Sequence, residues 1–144
     1  MDTFMTAAFA EAQQSLQEGG IPIGAVLVRN NEIIGRGHNQ CVQRNDPTAH
    51  AEIECLRNAG HICSYKDTIL YTTHMPCYFC AGAIVQFGIE TVVVGDSSTF
   101  QGAVDFMKDH WVRIYKRDEN ECRQILQNFI KNNPQRWDED IGQL

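Results

Sequence analysis

Apolar and polar positions along this chain read as helices and strands taking turns. Phe4, Ala8, Phe9, Ala12 and Leu16 recur at helical spacing, and Gly19-Gly20 ends the helix they predict. The run IGAVLV (23–28) has the continuous apolar character of a buried strand. Asn30-Asn31 offers a turn, and EIIGRGH (32–38) returns as a second strand, so the two should form a hairpin. Pro47 closes an irregular stretch, after which HAEIECLRNAG (50–60) is helical in pattern with Gly60 as its stop. TILYTT (68–73) is the next strand, Pro76 opens a helix over 77–87 with Gly88 past its end, and ETVVVG (90–95) is a strand again. Residues 101–109 suit a helix and WVRIY (111–115) a fifth short strand. An amphipathic helix over 120–132 carries Cys122, Ile125, Leu126, Phe129 and Ile130, and Pro134 begins a short acidic helix in the tail. Strands separated by helices, with a hairpin first, predict an α/β fold: three layers, α/β/α, about a central mixed sheet of about five strands.

With 144 residues the chain is expected to be one domain, 1–144, with 134–144 as its C-terminal tail. Its 43% hydrophobic and 21% charged content fits a folded chain and argues against disorder. Lys+Arg is 12 against Asp+Glu 18, a net charge of −6. Surfaces that grip phosphates carry an excess of Lys and Arg, so nucleic acid is not expected as the main partner. No apolar run approaches the roughly 20 residues that span a bilayer, so no membrane is expected either. The opening MDTFMTAAFAEAQQ has no basic region and carries Asp2 and Glu11, the pattern of a helix rather than of a signal peptide. The chain is therefore expected in the cytoplasm. Its six cysteines, Cys41, Cys55, Cys63, Cys77, Cys80 and Cys122, are then expected as reduced thiols, with metal or redox roles ahead of disulfides.

Three soft or borderline ligands stand out: His50, Cys77 and Cys80. Pro76-Cys77-Tyr78-Phe79-Cys80 places a C-x-x-C at a helix start, where residues three apart share a face and the helix N-terminus favours thiolates. Alone, that motif is ambiguous among redox chemistry, half of a structural zinc site and two core thiols. A closed structural site has a specific form here, with His74 joining His50, Cys77 and Cys80 as a fourth ligand. Pro76 constrains that approach, so His74 is expected as a pocket wall or a surface side chain. Glu52, in His50-Ala51-Glu52, favours an open site, because a carboxylate beside an activated water can take its proton and pass it to a leaving nitrogen. Residues two apart do not share a helix face, so His50 and Glu52 serve one centre only from the first turn of their helix.

The full set, H-x-E followed by P-C-x-x-C, is a zinc-deaminase signature. The chain resembles the cytidine/deoxycytidylate deaminase superfamily, and within it the fungal-type cytosine deaminases. The likeness runs through EGGIPIGAVLV, GRGHN, HAE, TILYTTHMPCYFCAGAI, VVVGD and the tail WDEDIG. It implies a cytidine deaminase-like fold, one Zn2+ per chain on His50, Cys77 and Cys80, and Glu52 as the proton shuttle. It implies that Asn39 binds a polar edge of the base, assisted by the Ala51 peptide N–H. Phe100 would cover the ring, Trp137 and Ile141 would close the pocket, and Asp140 would accept a hydrogen bond from the substrate's amine. Against the family pattern Ala51 replaces a glycine, and His74-Met75 replaces a Leu-Ser pair before Pro76. The implied activity is hydrolytic deamination of a free base, cytosine to uracil and ammonia, in pyrimidine salvage by a homodimer packed through helices beside the zinc. Other small cyclic amidines (guanine, isocytosine, creatinine), tRNA adenosine and a zinc module without activity are the rival readings.

Overall fold

A computed structural model describes residues 1–143; Leu144, the last residue of the expected tail, lies outside the described residues. Helix α1 (Thr3–Gln17) is N-capped by Asp2, whose side chain accepts from the Met5 N–H at 2.8 Å. It buries Met5, Ala8, Ala12 and Ser15 and packs Phe4 and Phe9 against the core, so the expected face holds except at its end, where Leu16 stays 44% exposed. Close approach explains the difference. Strand β1 (Gly24–Arg29) runs beneath α1, and a Cβ at Gly24 would stand 2.1 Å from the Ala8 carbonyl oxygen. A contact that tight needs small residues, so the alanine stripe turns inward and Leu16 turns out.

The hairpin forms as expected. Strand β2 (Glu32–His38) pairs antiparallel with β1, and Asn30 and Asn31 both take positive φ, 52° and 62°, as a tight hairpin turn requires. A one-turn helix, α2 (Cys41–Arg44), then interrupts the stretch expected to be irregular. It is held at its start by the Asn39 side chain, whose Oδ1 accepts from the Cys41 N–H at 3.0 Å, and ends on Asn45 at φ 51°. Helix α3 (Ala51–Ala59) leads to β3 (Thr68–His74), then α4 (Tyr78–Phe87), β4 (Thr91–Asp96), α5 (Val104–Asp109) and β5 (Arg113–Lys116). Helices α6 (Asn120–Asn132) and α7 (Pro134–Asp140) finish the chain. Element ends differ from the expected ones by up to three residues, most at α5, where Gly102 with φ +56° delays the helix.

The sheet has five strands in the order β2-β1-β3-β4-β5. β1 is antiparallel to both neighbours, while β3, β4 and β5 are parallel. On one face α3, α4 and α5 bury Cys55, Ile84 and Met107 against Leu27, Leu70 and Val92. On the other, α1 and the start of α6 bury Met5, Ala8 and Cys122 against Val26, Tyr71 and Val93. This is the expected three-layer α/β/α arrangement. A third cluster, Ile21, Leu126, Phe129 and Trp137, fastens α7 to α6. That contact brings the acidic tail back to the end of the sheet where α3 and α4 begin.

Candidate active site

Two helix starts meet at this end. His50 is the N-cap residue of α3 and Cys77 that of α4, both in extended backbone, and Cys80 lies in the first turn of α4. His50 Nδ1 stands 3.4 Å from Cys77 Sγ and 3.5 Å from Cys80 Sγ. Neighbouring donors on a tetrahedral zinc, with Zn–N of 2.0–2.1 Å and Zn–S of 2.3 Å, are separated by about 3.5 Å. The three donors therefore fit zinc in chemistry and in spacing. The Cys80 S–H hydrogen bond and His50 draw the Cys77 thiol far down, toward thiolate, against the opposing effect of burial. The Cys77 partner and burial push Cys80 up in turn. Burial pulls His50 down, but the Cys77 thiolate outweighs it and holds the imidazole at about 9. Metal binding here exchanges protons for the ion.

Glu52 occupies the second position of α3, so it and His50 flank one centre from the first turn, as their spacing demanded. Its carboxyl is 5% exposed and has Thr72 Oγ1 3.4 Å from Oε1. Burial, reinforced by the Cys77 thiolate, pushes it up to about 7. A carboxyl poised near neutrality suits both accepting and returning a proton.

Beside Glu52 lies a narrow space. Asn39, Ala51, Phe100, Trp137, Asp140 and Ile141 all line it, as do His50 and Cys77. Every residue expected at the site is thus brought to one place, with Cys80 buried behind it. Phe100 and Trp137 meet edge to face with ring centres 5.5 Å apart. Gly102 keeps Phe100 close: a Cβ there would stand 2.4 Å from the Pro76 carbonyl oxygen and 3.1 Å from the Phe100 ring. Asp140 is 10% exposed at its side chain, and burial raises its carboxyl although His50, at 3.9 Å, opposes the rise. Sequence reasoning missed Ile23, which lines the space from the chain entering β1, and Cys41, which lines the groove behind Asp140. Met75 also lines it, consistent with its departure from the family pattern.

His74 departs from expectation. It is neither a pocket wall nor a surface side chain, but a core residue 1% exposed. Its Nε2 donates to the Cys122 carbonyl at 2.7 Å and its Nδ1 accepts from the Thr73 hydroxyl at 2.9 Å, tying β3 to α6. Both ring nitrogens are engaged away from the thiols. His74→Ala should therefore retain the metal, measured by elemental analysis, while losing about 2–4 kcal/mol of stability. Burial holds the His74 imidazole neutral, down at about 4, so the unfolded chain takes up its proton first as pH falls from 6.5. Stability should be unaffected by this group above about pH 6.5 and fall by about 3 kcal/mol between there and pH 4. Urea unfolding of His74→Asn over that range should lack this component.

A family model described as the cytidine and deoxycytidylate deaminase zinc-binding region matches residues 1–96. A cytosine deaminase of Candida albicans is 37% identical over 142 residues, covering 96% of this chain and 95% of its own length. A tRNA-specific adenosine deaminase of Buchnera aphidicola is 39% identical over 140 residues, covering 90% of this chain and 93% of its own. Among solved structures, a tRNA:A34 deaminase studied for A-to-I editing at the wobble position superposes with a TM-score of 0.74 at 33% identity, over 85% of this chain and 98% of its own.

Proposed function

The chain belongs to the cytidine and deoxycytidylate deaminase family of zinc-dependent hydrolases, and from that premise we propose that it deaminates a free nucleobase, cytosine giving uracil and ammonia. Residues 1–144 act as one deaminase domain, and 134–144 close the pocket. His50, Cys77 and Cys80 hold one zinc per chain. Zinc supplies Lewis acidity, lowering the pKa of a water it holds to about 7. Glu52 would take one proton of the attacking water and give it to the ring nitrogen as the oxygen bonds to the amine-bearing carbon; it would then take the second proton from that oxygen and give it to the amine, so that the C–N bond breaks and ammonia leaves. Asn39 and the Ala51 N–H hold a polar edge of the base, with Asn39 oriented by the bond its Oδ1 accepts from Cys41. Phe100 and Trp137 cover the ring and exclude water. Asp140 accepts a hydrogen bond from the amine and orients it toward Glu52. The exposed aromatics Tyr78 and Phe79 on α4 suit a homodimer contact beside the zinc ligands.

The observation that carries this reading is the tail. Helix α7 sets Trp137, Asp140 and Ile141 along one wall of the narrow space beside Glu52. A sugar on the base would collide with that wall. The groove behind Asp140 is lined by Asp46, Glu139 and Asp140 against one cation, Arg136, a poor surface for a phosphate backbone. The similarity to tRNA adenosine deaminases supports a second reading, adenosine in tRNA by the same chemistry. Guanine, isocytosine and creatinine are further small cyclic amidines of suitable size. A zinc module without activity leaves the buried Glu52 without a role.

Asp140→Ala tests the tail. A buried polar partner left unpaired costs about 1–3 kcal/mol, with charged acceptors at the upper end. The kcat/KM for cytosine should fall roughly ten- to a hundred-fold, at ~1.4 kcal/mol per tenfold, with zinc content unchanged. An intact kcat/KM would remove α7 from the pocket's function.

A further inference from the structure

The two ring nitrogens of His50 face different donors. Nδ1 looks toward the thiols of Cys77 and Cys80 at 3.4 and 3.5 Å. Nε2 stands 3.9 Å from Asp140 Oδ1. Cys41, half-buried at the start of α2, completes a second group: Cys41, His50 and Asp140 each bring a ligand atom within 4.8 Å of the others. We propose that Cys41, His50 Nε2 and Asp140 form a second site for a thiophilic divalent cation such as Zn2+, and that its occupation inhibits the enzyme.

The donor set selects the ion. Thiolate, imidazole and carboxylate are the three protein ligand types zinc takes, whereas Mg2+ and Ca2+ take oxygen. Nε2 and Oδ1 stand 3.9 Å apart and the three ligand atoms lie within 4.8 Å of one another, so closing to the roughly 3.5 Å of a tetrahedral zinc site draws them together by up to about 1.3 Å. That contraction falls on short elements, the one-turn α2 and the end of α7. The adjoining groove carries Asp46 and Glu139 with Arg136 as its one cation, so the approach favours positive charge. Binding is a proton exchange. The Cys41 thiol loses one proton and His50 Nε2 another, bonds form from the ion to sulfur, nitrogen and the Asp140 carboxylate, and no electrons are transferred. His50 then bridges the two ions as imidazolate. The inhibition rests on the function proposed above, since Asp140 is the carboxylate assigned to the substrate's amine. Ion and substrate therefore compete for it.

The test begins with protein carrying one zinc per chain, titrated calorimetrically with ZnCl2 in two buffers of different ionisation enthalpy. A second equivalent should bind with release of about two protons, one from each protonated ligand. Cys41→Ser should keep the first zinc and bind the second at least about tenfold more weakly. In parallel, free Zn2+ should raise KM for cytosine with little change in kcat, and Cys41→Ser should relieve that inhibition. Absence of a second equivalent, or equal binding by Cys41→Ser, overturns the site. A second ion bound through Cys41 in a protein that does not deaminate cytosine upholds the site and refutes the substrate reading. Unchanged cytosine kinetics with the second ion bound overturns the inhibition.

Discussion

Glu52→Gln is expected to keep the fold and the zinc while kcat falls by at least ~10²–10⁴, the range general acid–base catalysis supplies. The side chain is 5% exposed and sits in the first turn of α3, so the glutamine amide fits the same space. What it loses is the ability to accept a proton at neutral pH. The wild-type carboxyl is pushed up to about 7 by burial, with the Cys77 thiolate adding to it. Each transfer assigned to Glu52 then fails together, and its hydrogen-bond partner does not replace it: Thr72, 3.4 Å away, carries a hydroxyl that is not basic at this pH. Elemental analysis and circular dichroism should match wild type while ammonia release collapses. Near-normal turnover would remove Glu52 from the mechanism.

Cys77→Ser and Cys80→Ser should each lose most of the zinc and, with it, activity. Serine stays protonated where cysteine becomes a thiolate, so one of three ligands disappears in each variant. The wild type should purify with about one zinc per chain, the number of complete three-ligand sets of the zinc-deaminase pattern. Because the ion binds the native chain, it should stabilise it by about 2.7 kcal/mol at a free concentration a hundred times its Kd. Chelation should accordingly lower the Tm of wild type and leave both variants unmoved. Full zinc in either variant would contradict the ligand set, whereas His74→Ala, with its ring nitrogens committed to Thr73 and Cys122, should behave like wild type in this assay.

The metal donors and Glu52 were legible in the sequence because their chemistry depends on short spacings. Cys77 and Cys80 are one helical turn apart, and His50 and Glu52 flank a helix start. The sheet was legible because its strands are apolar runs bounded by Gly, Asn and Pro. The pocket walls were of another kind. Asn39, Phe100 and the tail residues Trp137, Asp140 and Ile141 come from three distant segments, and nothing local in the sequence joins them; the family resemblance did. Cys41 was missed because α2 is a single turn with no periodicity, and Ile23 because a strand-entry isoleucine looks like any core residue. Only the end of α1's inward face was misread, because hydrophobicity ranks Leu16 above Ser15, whereas Ser15 is the buried one. His74 was misplaced for a similar reason: a histidine next to a metal motif suggests the site, but its partners, Thr73 and the Cys122 carbonyl, are read only in three dimensions.

A pocket closed by the tail admits a free base and excludes a sugar. Ammonia release by the one-zinc protein from cytosine, cytidine and a tRNA bearing an accessible adenosine, at equal concentrations, tests it most directly. Cytosine should be turned over, and neither cytidine nor the tRNA should release ammonia. Efficient release from cytidine or tRNA, with cytosine inert, would contradict it.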